Sequence, residues 1–179
     1  MTPKLRKIVL TTHVTVSVAW LGGVVTFLAL AIAALVSPDA SFVRATYRVL
    51  EPIGWTVLVP LSIASFATGV AQSLGTRWGL FRHYWVIAKL AINVVATVIL
   101  LLYMQTLAAF TTIAANPKLT DTQILGVRSP SPVIHAGGAA MLLLVAIILS
   151  VFKPRGLTPY GQRKASDART ETNSPPPLT

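Results

Sequence analysis

Residues 8–36 read IVLTTHVTVSVAWLGGVVTFLALAIAALV, a run without a single Asp, Glu, Lys or Arg. About 20 apolar residues in an α-helix cross the ~30 Å hydrocarbon core of a bilayer, so this run is long enough to span a membrane. Three further runs meet the same criterion, at residues 53–74, 84–110 and 132–152. The pattern predicts an all-α fold, a bundle of four transmembrane helices within residues 1–152.

The composition also indicates a membrane protein. Hydrophobic residues make up 54% of the 179-residue chain and charged residues only 11%. A soluble domain of this size needs more charge to cover its surface, and four spans leave almost no chain for a separate soluble domain. The sequence has no cysteine, which excludes disulfides, thiolate-bound zinc, iron–sulfur clusters and covalent c-type haem.

The distribution of Lys and Arg predicts the orientation of the spans. Ten of them lie before the first run, between the second and third runs, or after the fourth: Lys4, Arg6, Lys7, Arg77, Arg82, Lys153, Arg155, Arg163, Lys164 and Arg169. The other two loops hold four: Arg44, Arg48, Lys118 and Arg128. Because cytoplasmic loops carry the excess of Lys and Arg, we expect both termini in the cytoplasm. The net charge of +10 then reflects topology and lipid contact rather than nucleic-acid binding.

The C-terminal segment, residues 153–179, reads KPRGLTPYGQRKASDARTETNSPPPLT. It is rich in Pro, Ser, Thr and charge, and such a composition cannot bury a core. We therefore expect a disordered, basic cytoplasmic tail whose first half rests on anionic lipid headgroups.

Polar residues of three predicted spans share a depth near the cytoplasmic side. His13 and Lys89 each lie five residues into their runs, or ~7–8 Å at 1.5 Å per residue, and Gln72 lies near the same face. Ionisable residues inside a span are energetically expensive and are usually functional. The structural alternatives are a lysine that extends to the headgroups, a histidine tolerated at the interface, and polar residues that only join helices.

Helical spacing places these residues in stripes that are expected to face the bundle interior. The stripes are His13, Ser17 and Trp20 in the first run, Ser65, Thr68 and Gln72 in the second, and Lys89, Asn93 and Thr97 in the third. No Asp or Glu lies inside a predicted span, which excludes a carboxylate-bridged metal site and hydrolysis by paired carboxylates.

The other two histidines lie at different depths from His13. His83 lies at the cytoplasmic edge, where headgroup contact is expected. His135 enters from the opposite side, so it cannot share an iron with His13 across a ~30 Å core. Met104 lies in the same half of the bundle as His135.

Two local patterns resemble a known group of proteins. His13 is followed after six residues by Trp20-Leu21-Gly22-Gly23, and Trp85 is followed after three residues by Lys89-Leu90. Together they resemble the signature of the HemJ-type protoporphyrinogen oxidases and the wider group that includes the CopD copper-resistance membrane domains. Over residues 1–156 the chain looks most like an uncharacterised actinobacterial family of integral-membrane proteins in that group. This resemblance implies a multi-pass protein of the bacterial cytoplasmic membrane.

The resemblance implies b-type haem, with His13 as an axial ligand and metal-binding residue and Lys89 as the essential, catalytic lysine. Trp20, Gln72 and Asn93 would line the cofactor site. Lys89 would serve as the second axial ligand or pair with a haem propionate. In the opposite half, His135 and Met104 would offer a second haem site. Arg77 and Arg82, at the cytoplasmic rim, would also pair with propionates, and the alternative for them is an interfacial anchor.

Three functions stay open at this point. The first is a membrane haem b protein that transfers electrons or, as an oxidoreductase, oxidises a hydrophobic substrate such as a porphyrinogen or quinol. The second is a haem-free, CopD-like metal transport or accessory protein, against which the scattered Met1, Met104 and Met141 argue. The third is an assembly partner of a membrane complex, supported by the small residues 136–140. The expected partners are membrane lipid and either a second copy of the chain or a membrane redox partner.

Overall fold

A computed structural model describes residues 1–76 and 79–173, without the side chains of residues 168–173. The described residues form seven α-helices and one π-helical segment. These are α1 (Pro3–Val36), α2 (Ala40–Ile53), the π-helical segment (Gly54–Leu58), α3 (Val59–Leu74), α4 (Tyr84–Ala115), α5 (Asp121–Gly126), α6 (Ser131–Phe152) and α7 (Pro159–Asn173). Apart from one isolated β-bridge, between His83 and Leu157, this part of the chain contains no β-structure.

Four helices are long and apolar enough to cross a membrane: Pro3–Val36, Ala40–Leu74, Tyr84–Ala115 and Ser131–Phe152. The prediction of an all-α bundle with four transmembrane helices is therefore confirmed. Large apolar side chains cover its outside, as expected of a surface in contact with lipid. The orientation of the termini toward the cytoplasm stays a prediction.

The second span is longer than the apolar run that predicts it. It begins at Ala40 rather than near residue 53, because α2, the π-helical segment and α3 form one continuous helix. Pro52 lies inside α2, and a proline removes one backbone donor from a helix. The π-helical turn follows it directly, and the Thr56 hydroxyl donates to the Pro52 carbonyl at 2.7 Å.

The spans pack as a closed ring in which each one touches two neighbours. α1 contacts α3, α3 contacts α4, α4 contacts α6, and α6 contacts α1. α2 continues the second span between α1 and α4. The core contains a stripe on α1 made of Trp20, Val24, Phe27, Ala31 and Ala34. α6 is the least enclosed span, and this loose fit shapes the cavity described below.

Two arginines close one end of the bundle, which we call the opposite end. The Arg44 guanidinium, on α2, donates to the backbone carbonyls of Ala114, Asn116 and Leu119 at 2.7–3.0 Å. Arg128 donates to the carbonyl of Ser37 at 2.8 Å. A cation is favourable at a helix C-terminus, where carbonyl groups lack helical partners. Both arginines thus have structural partners in addition to any effect on topology.

At the other end, which we call the termini end, the segment after α6 binds the loop before α4, and we call this contact the clasp. Met1 packs on Gly75 at the same end. The Thr158 backbone N–H donates to the Arg82 carbonyl at 3.0 Å, and its hydroxyl donates to the Phe81 carbonyl at 2.6 Å. Thr158 is buried, with only 5% of its surface exposed. The clasp fixes the start of α7 against the bundle.

The tail differs from the expectation of disorder, because residues 159–173 form α7. Thr158 accepts a hydrogen bond from the Gly161 N–H at 3.1 Å, and Pro159 follows it at the first helical position. A threonine N-cap followed by proline is a strong helix start, and it outweighs the polar composition here. The part of this prediction that concerns residues 174–179 lies outside the described residues.

Candidate functional site

His13, on α1, makes a hydrogen bond that fixes the tautomer of its neutral ring. Its Nδ1 lies 3.0 Å from the Thr68 hydroxyl oxygen on α3. That hydroxyl has one proton, which it donates to the Ala64 carbonyl at 2.7 Å. Toward His13 the hydroxyl therefore accepts, so Nδ1 carries the proton. The lone pair of the imidazole is left on Nε2, the arrangement in which an orienting partner prepares a histidine to bind metal.

A glycine on α3 makes room for the imidazole. A side-chain carbon at Gly69 would lie 3.1 Å from Cε1 of His13 and 3.9 Å from its Nε2. The close approach holds the ring against the α3 backbone, next to the Thr68 hydroxyl. The histidine side chain is part-exposed at the junction of α1 and α3. α3 thus supplies both an orienting acceptor and the space for the ring.

A second polar contact lies one turn farther into the bundle and joins three helices. The hydroxyls of Ser17 on α1 and Ser65 on α3 are 3.0 Å apart, and the Asn93 side-chain amide of α4 donates to Ser65 at 3.2 Å. Interhelical hydrogen bonds of this kind contribute about 0.6 kcal/mol on average in a membrane. Since Ser17, Ser65 and Asn93 already join the helices, an ionisable histidine is not needed for that purpose.

We call the level of Ser17, Ser65 and Asn93 the inner layer. Three buried polar atoms near it have no hydrogen-bond partner among the described residues. They are the Trp20 indole N–H, the side-chain oxygen of Asn93 and the Thr97 hydroxyl. Trp20 is 2% exposed, so its donor is shielded from water. Buried polar atoms are usually paired, and an unpaired one has a desolvation cost of about 1–3 kcal/mol. The inner layer therefore offers a donor and acceptors to a bound group.

Lys89 lies one turn nearer the termini end than Asn93. Its Nζ is 5.6 Å from the centroid of the Trp85 ring, a cation–π distance. His13, near the start of α1, and Lys153, at the C-terminal end of α6, also lie toward the termini end. The hydrogen-bond partner of His13 is Thr68 rather than Lys89, and the cofactor roles of His13 and Lys89 stay predictions.

The remaining predicted site residues lie around this layer. Gln72 is half-buried on α3, one turn beyond Thr68. Arg82 lies in the loop before α4, where its backbone carbonyl accepts the hydrogen bond from Thr158. His83 directly precedes α4. Arg77 lies outside the described residues.

A cavity of about 680 Å³ lies on the other side of Trp20, between α1, α4 and α6. Trp20 and Phe27 form its α1 wall, and its lining includes exposed Ile99 and Met141, so it opens at the bundle surface within the span. Sequence reasoning missed this cavity. The signal for it is the run of small residues at 136–140, of which Gly138 and Ala139 line the space.

The cavity has a polar edge at His135. The His135 ring stacks on Tyr103 with centroids 4.0 Å apart and an angle of 18° between planes. The Tyr103 and Ser131 hydroxyls are 3.1 Å apart. His135 Nδ1 donates to the Ser131 carbonyl at 2.9 Å, which leaves its Nε2 as an acceptor.

Met104 does not share this cavity. It is 2% exposed and packs against Gly54, where a side-chain carbon would lie 2.6 Å from its sulfur. The pairing of His135 with Met104 as ligands of a second haem therefore has no geometric support.

Comparison with known protein families, curated proteins and solved structures gives no match.

Proposed function

We propose that the protein is a membrane haem b protein with a redox role, in which His13 is an axial ligand. The observation that carries the proposal is the hydrogen bond from His13 to Thr68. It leaves Nε2 unprotonated and orients the ring, and the absence of a side chain at Gly69 leaves space for the ring. A neutral imidazole held by a second hydrogen bond is a standard haem ligand.

The residues around His13 fit such a cofactor in two further respects. The unpaired N–H of Trp20 and the unpaired side-chain oxygen of Asn93 are buried beside the layer, where a bound group would use them. Two cations lie toward the termini end: Lys89 near the start of α4 and Lys153 at the end of α6. Haem propionates need such cations, so this geometry favours a propionate partner over an axial ligand as the role of Lys89.

Haem bound there would supply one-electron chemistry. The chain's own contribution is to hold the imidazole in one tautomer, to enclose the inner layer with Trp20, and to place positive charge at the termini end. The resemblance to HemJ-type proteins points in the same direction. Oxidation of a hydrophobic substrate such as a porphyrinogen or quinol is the corresponding activity.

The haem-free transport alternative receives less support. The described residues contain no group of three or more His, Asp or Glu side chains that could hold a metal ion. The three methionines also lie apart: Met1 on Gly75, Met104 on Gly54, and Met141 exposed at 70% on α6. Copper handling favours Met and His along one path, and the described residues do not form such a path.

The test is the absorption spectrum of protein purified from haem-sufficient membranes. We expect a Soret band and, on reduction, α and β bands. His13→Ala should lose most of the pigment, whereas Lys89→Met should keep more of it with an altered spectrum or activity. His83→Ala is the matched histidine control and should keep the wild-type spectrum. Equal haem content in wild type and His13→Ala would refute the assignment of the ligand.

A further inference from the structure

The cavity between α1, α4 and α6 is apolar along most of its length. It extends along α6 from His135 to Val145, ten residues or about 15 Å of helix. Its walls include Leu100 of α4 and Leu142 of α6. With about 680 Å³ it lies within the ~300–1,000 Å³ range of small-molecule sites. Size and lining suit a lipophilic molecule that enters from the bilayer.

At the polar edge of the cavity, the His135 ring offers a hydrogen-bond acceptor. Because His135 Nδ1 donates to the Ser131 carbonyl, Nε2 accepts, and a partner must bring a donor. The imidazole is held nearly parallel to the Tyr103 ring, so the two flat groups present a rigid aromatic edge. His135 lies four residues into α6, about 6 Å from its start, where a polar head group can remain near the membrane interface.

We propose that this cavity binds a membrane-soluble quinol, an aromatic ring that carries hydroxyl groups and a long apolar chain. A ring hydroxyl donates to Nε2 of His135, the ring lies at the aromatic edge, and the chain follows the apolar walls toward Val145. An acyl chain has no donor for Nε2, and an oxidised quinone offers only acceptor oxygens. The site should therefore prefer the reduced form.

The inference deepens the proposed function, since a quinol is one hydrophobic substrate that a membrane redox protein can use. Trp20 connects the two sites: it lines the cavity and lies two turns from His13 on the same helix face. Binding of the quinol itself does not require haem, so the two proposals can fail separately.

The experiment measures ligand-dependent thermal stabilisation of the full-length protein in detergent. The probes are a decyl-1,4-benzoquinol, kept reduced under anaerobic conditions, and the corresponding decyl-benzoquinone. We expect the wild type to bind the quinol about tenfold more tightly than the quinone, the value of one neutral hydrogen bond. His135→Phe keeps a flat ring but removes the acceptor, and should abolish this preference.

Two adjacent glycines give a matched pair of variants. Both have open space around an added carbon, but only Gly138 lines the cavity. Gly138→Leu should fill the space and weaken binding of both probes by at least tenfold, whereas Gly137→Leu should bind like the wild type. Equal affinity for quinol and quinone, or undiminished binding by Gly138→Leu, would overturn the proposal. Quinol binding without a Soret band would contradict only the haem assignment. A Soret band without quinol binding would contradict only the quinol site.

Discussion

Replacing Thr68 with valine removes the hydroxyl that accepts the hydrogen bond from His13 and keeps the branched shape of the side chain. In the variant, Nδ1 loses its 3.0 Å partner, and the ring can rotate or change tautomer. Partners of this kind typically account for 10–100-fold in metal affinity. We therefore expect Thr68→Val to bind haem about 10–100-fold more weakly, or about 1.4–2.7 kcal/mol.

The effect on folding should be much smaller. One interhelical hydrogen bond in a membrane contributes about 0.6 kcal/mol on average, so thermal unfolding of the apoprotein should change little. The assay is a haem titration followed at the Soret band, paired with a melting curve of the haem-free protein. Thr26→Val is the control, because the Thr26 hydroxyl also donates to the carbonyl four residues earlier but faces no histidine.

The result that refutes this reasoning is wild-type haem affinity in Thr68→Val. It would show that the Thr68 hydroxyl does not orient a ligand, and that the contact only joins α1 to α3. Thr68→Ser supplies the complementary test, because it restores the hydroxyl and should recover most of the affinity.

Three further predictions concern Gly69, the clasp and the opposite end. Gly69→Ala places a methyl group 3.1 Å from the His13 ring and should lower haem affinity severalfold, measured by the same titration. Gly161→Ala would press a methyl group against the Arg82 carbonyl, so we expect faster tryptic cleavage within α7 at an unchanged melting temperature of the bundle. Gly22→Ala, which meets nothing within 4 Å, is the control for both glycine variants and should leave both readouts unchanged. Arg44→Gln removes charged donors from three carbonyls and should destabilise the protein by about 2 kcal/mol in thermal unfolding, whereas exposed Arg48→Gln should have little effect.

The four spans were predictable because each contains an apolar run of sufficient length with at most one charged residue, Lys89 in the third, and a membrane admits few alternatives to a helix there. The start of the second span was not, because Arg44, Arg48 and Glu51 indicated a loop. α2 is nevertheless helical, with Val43, Tyr47 and Leu50 buried on one face. This helical spacing is present in the sequence, but it is easily obscured by charges on the other face.

The site was partly predictable. Helical spacing placed His13 and Ser17 on one stripe and Thr68 and Ser65 on another, and the structure joins these two pairs by hydrogen bonds. Whether Thr68 or Gln72 is the partner of His13 depends on the axial offset between α1 and α3. That offset follows from side-chain packing between the helices and cannot be read from residue spacing within one helix.

The cavity could not be predicted in the same way. Its volume is the space that remains when α6, with Ala136 and Ala140 buried, packs against α1 and α4, and no single helix specifies that space. The sequence signal was the presence of small residues, which is equally typical of close helix–helix contact.

The central claim is that Nε2 of His13 binds haem iron, and chemical rescue tests it most directly. His13→Gly removes the imidazole and leaves a space that free imidazole can enter. We expect the wild type to carry about one haem per chain, His13→Gly to carry almost none, and added imidazole to restore its Soret band upon haem addition. A wild-type protein without a Soret band despite ample haem, or a His13→Gly variant that keeps its haem without imidazole, would contradict the account.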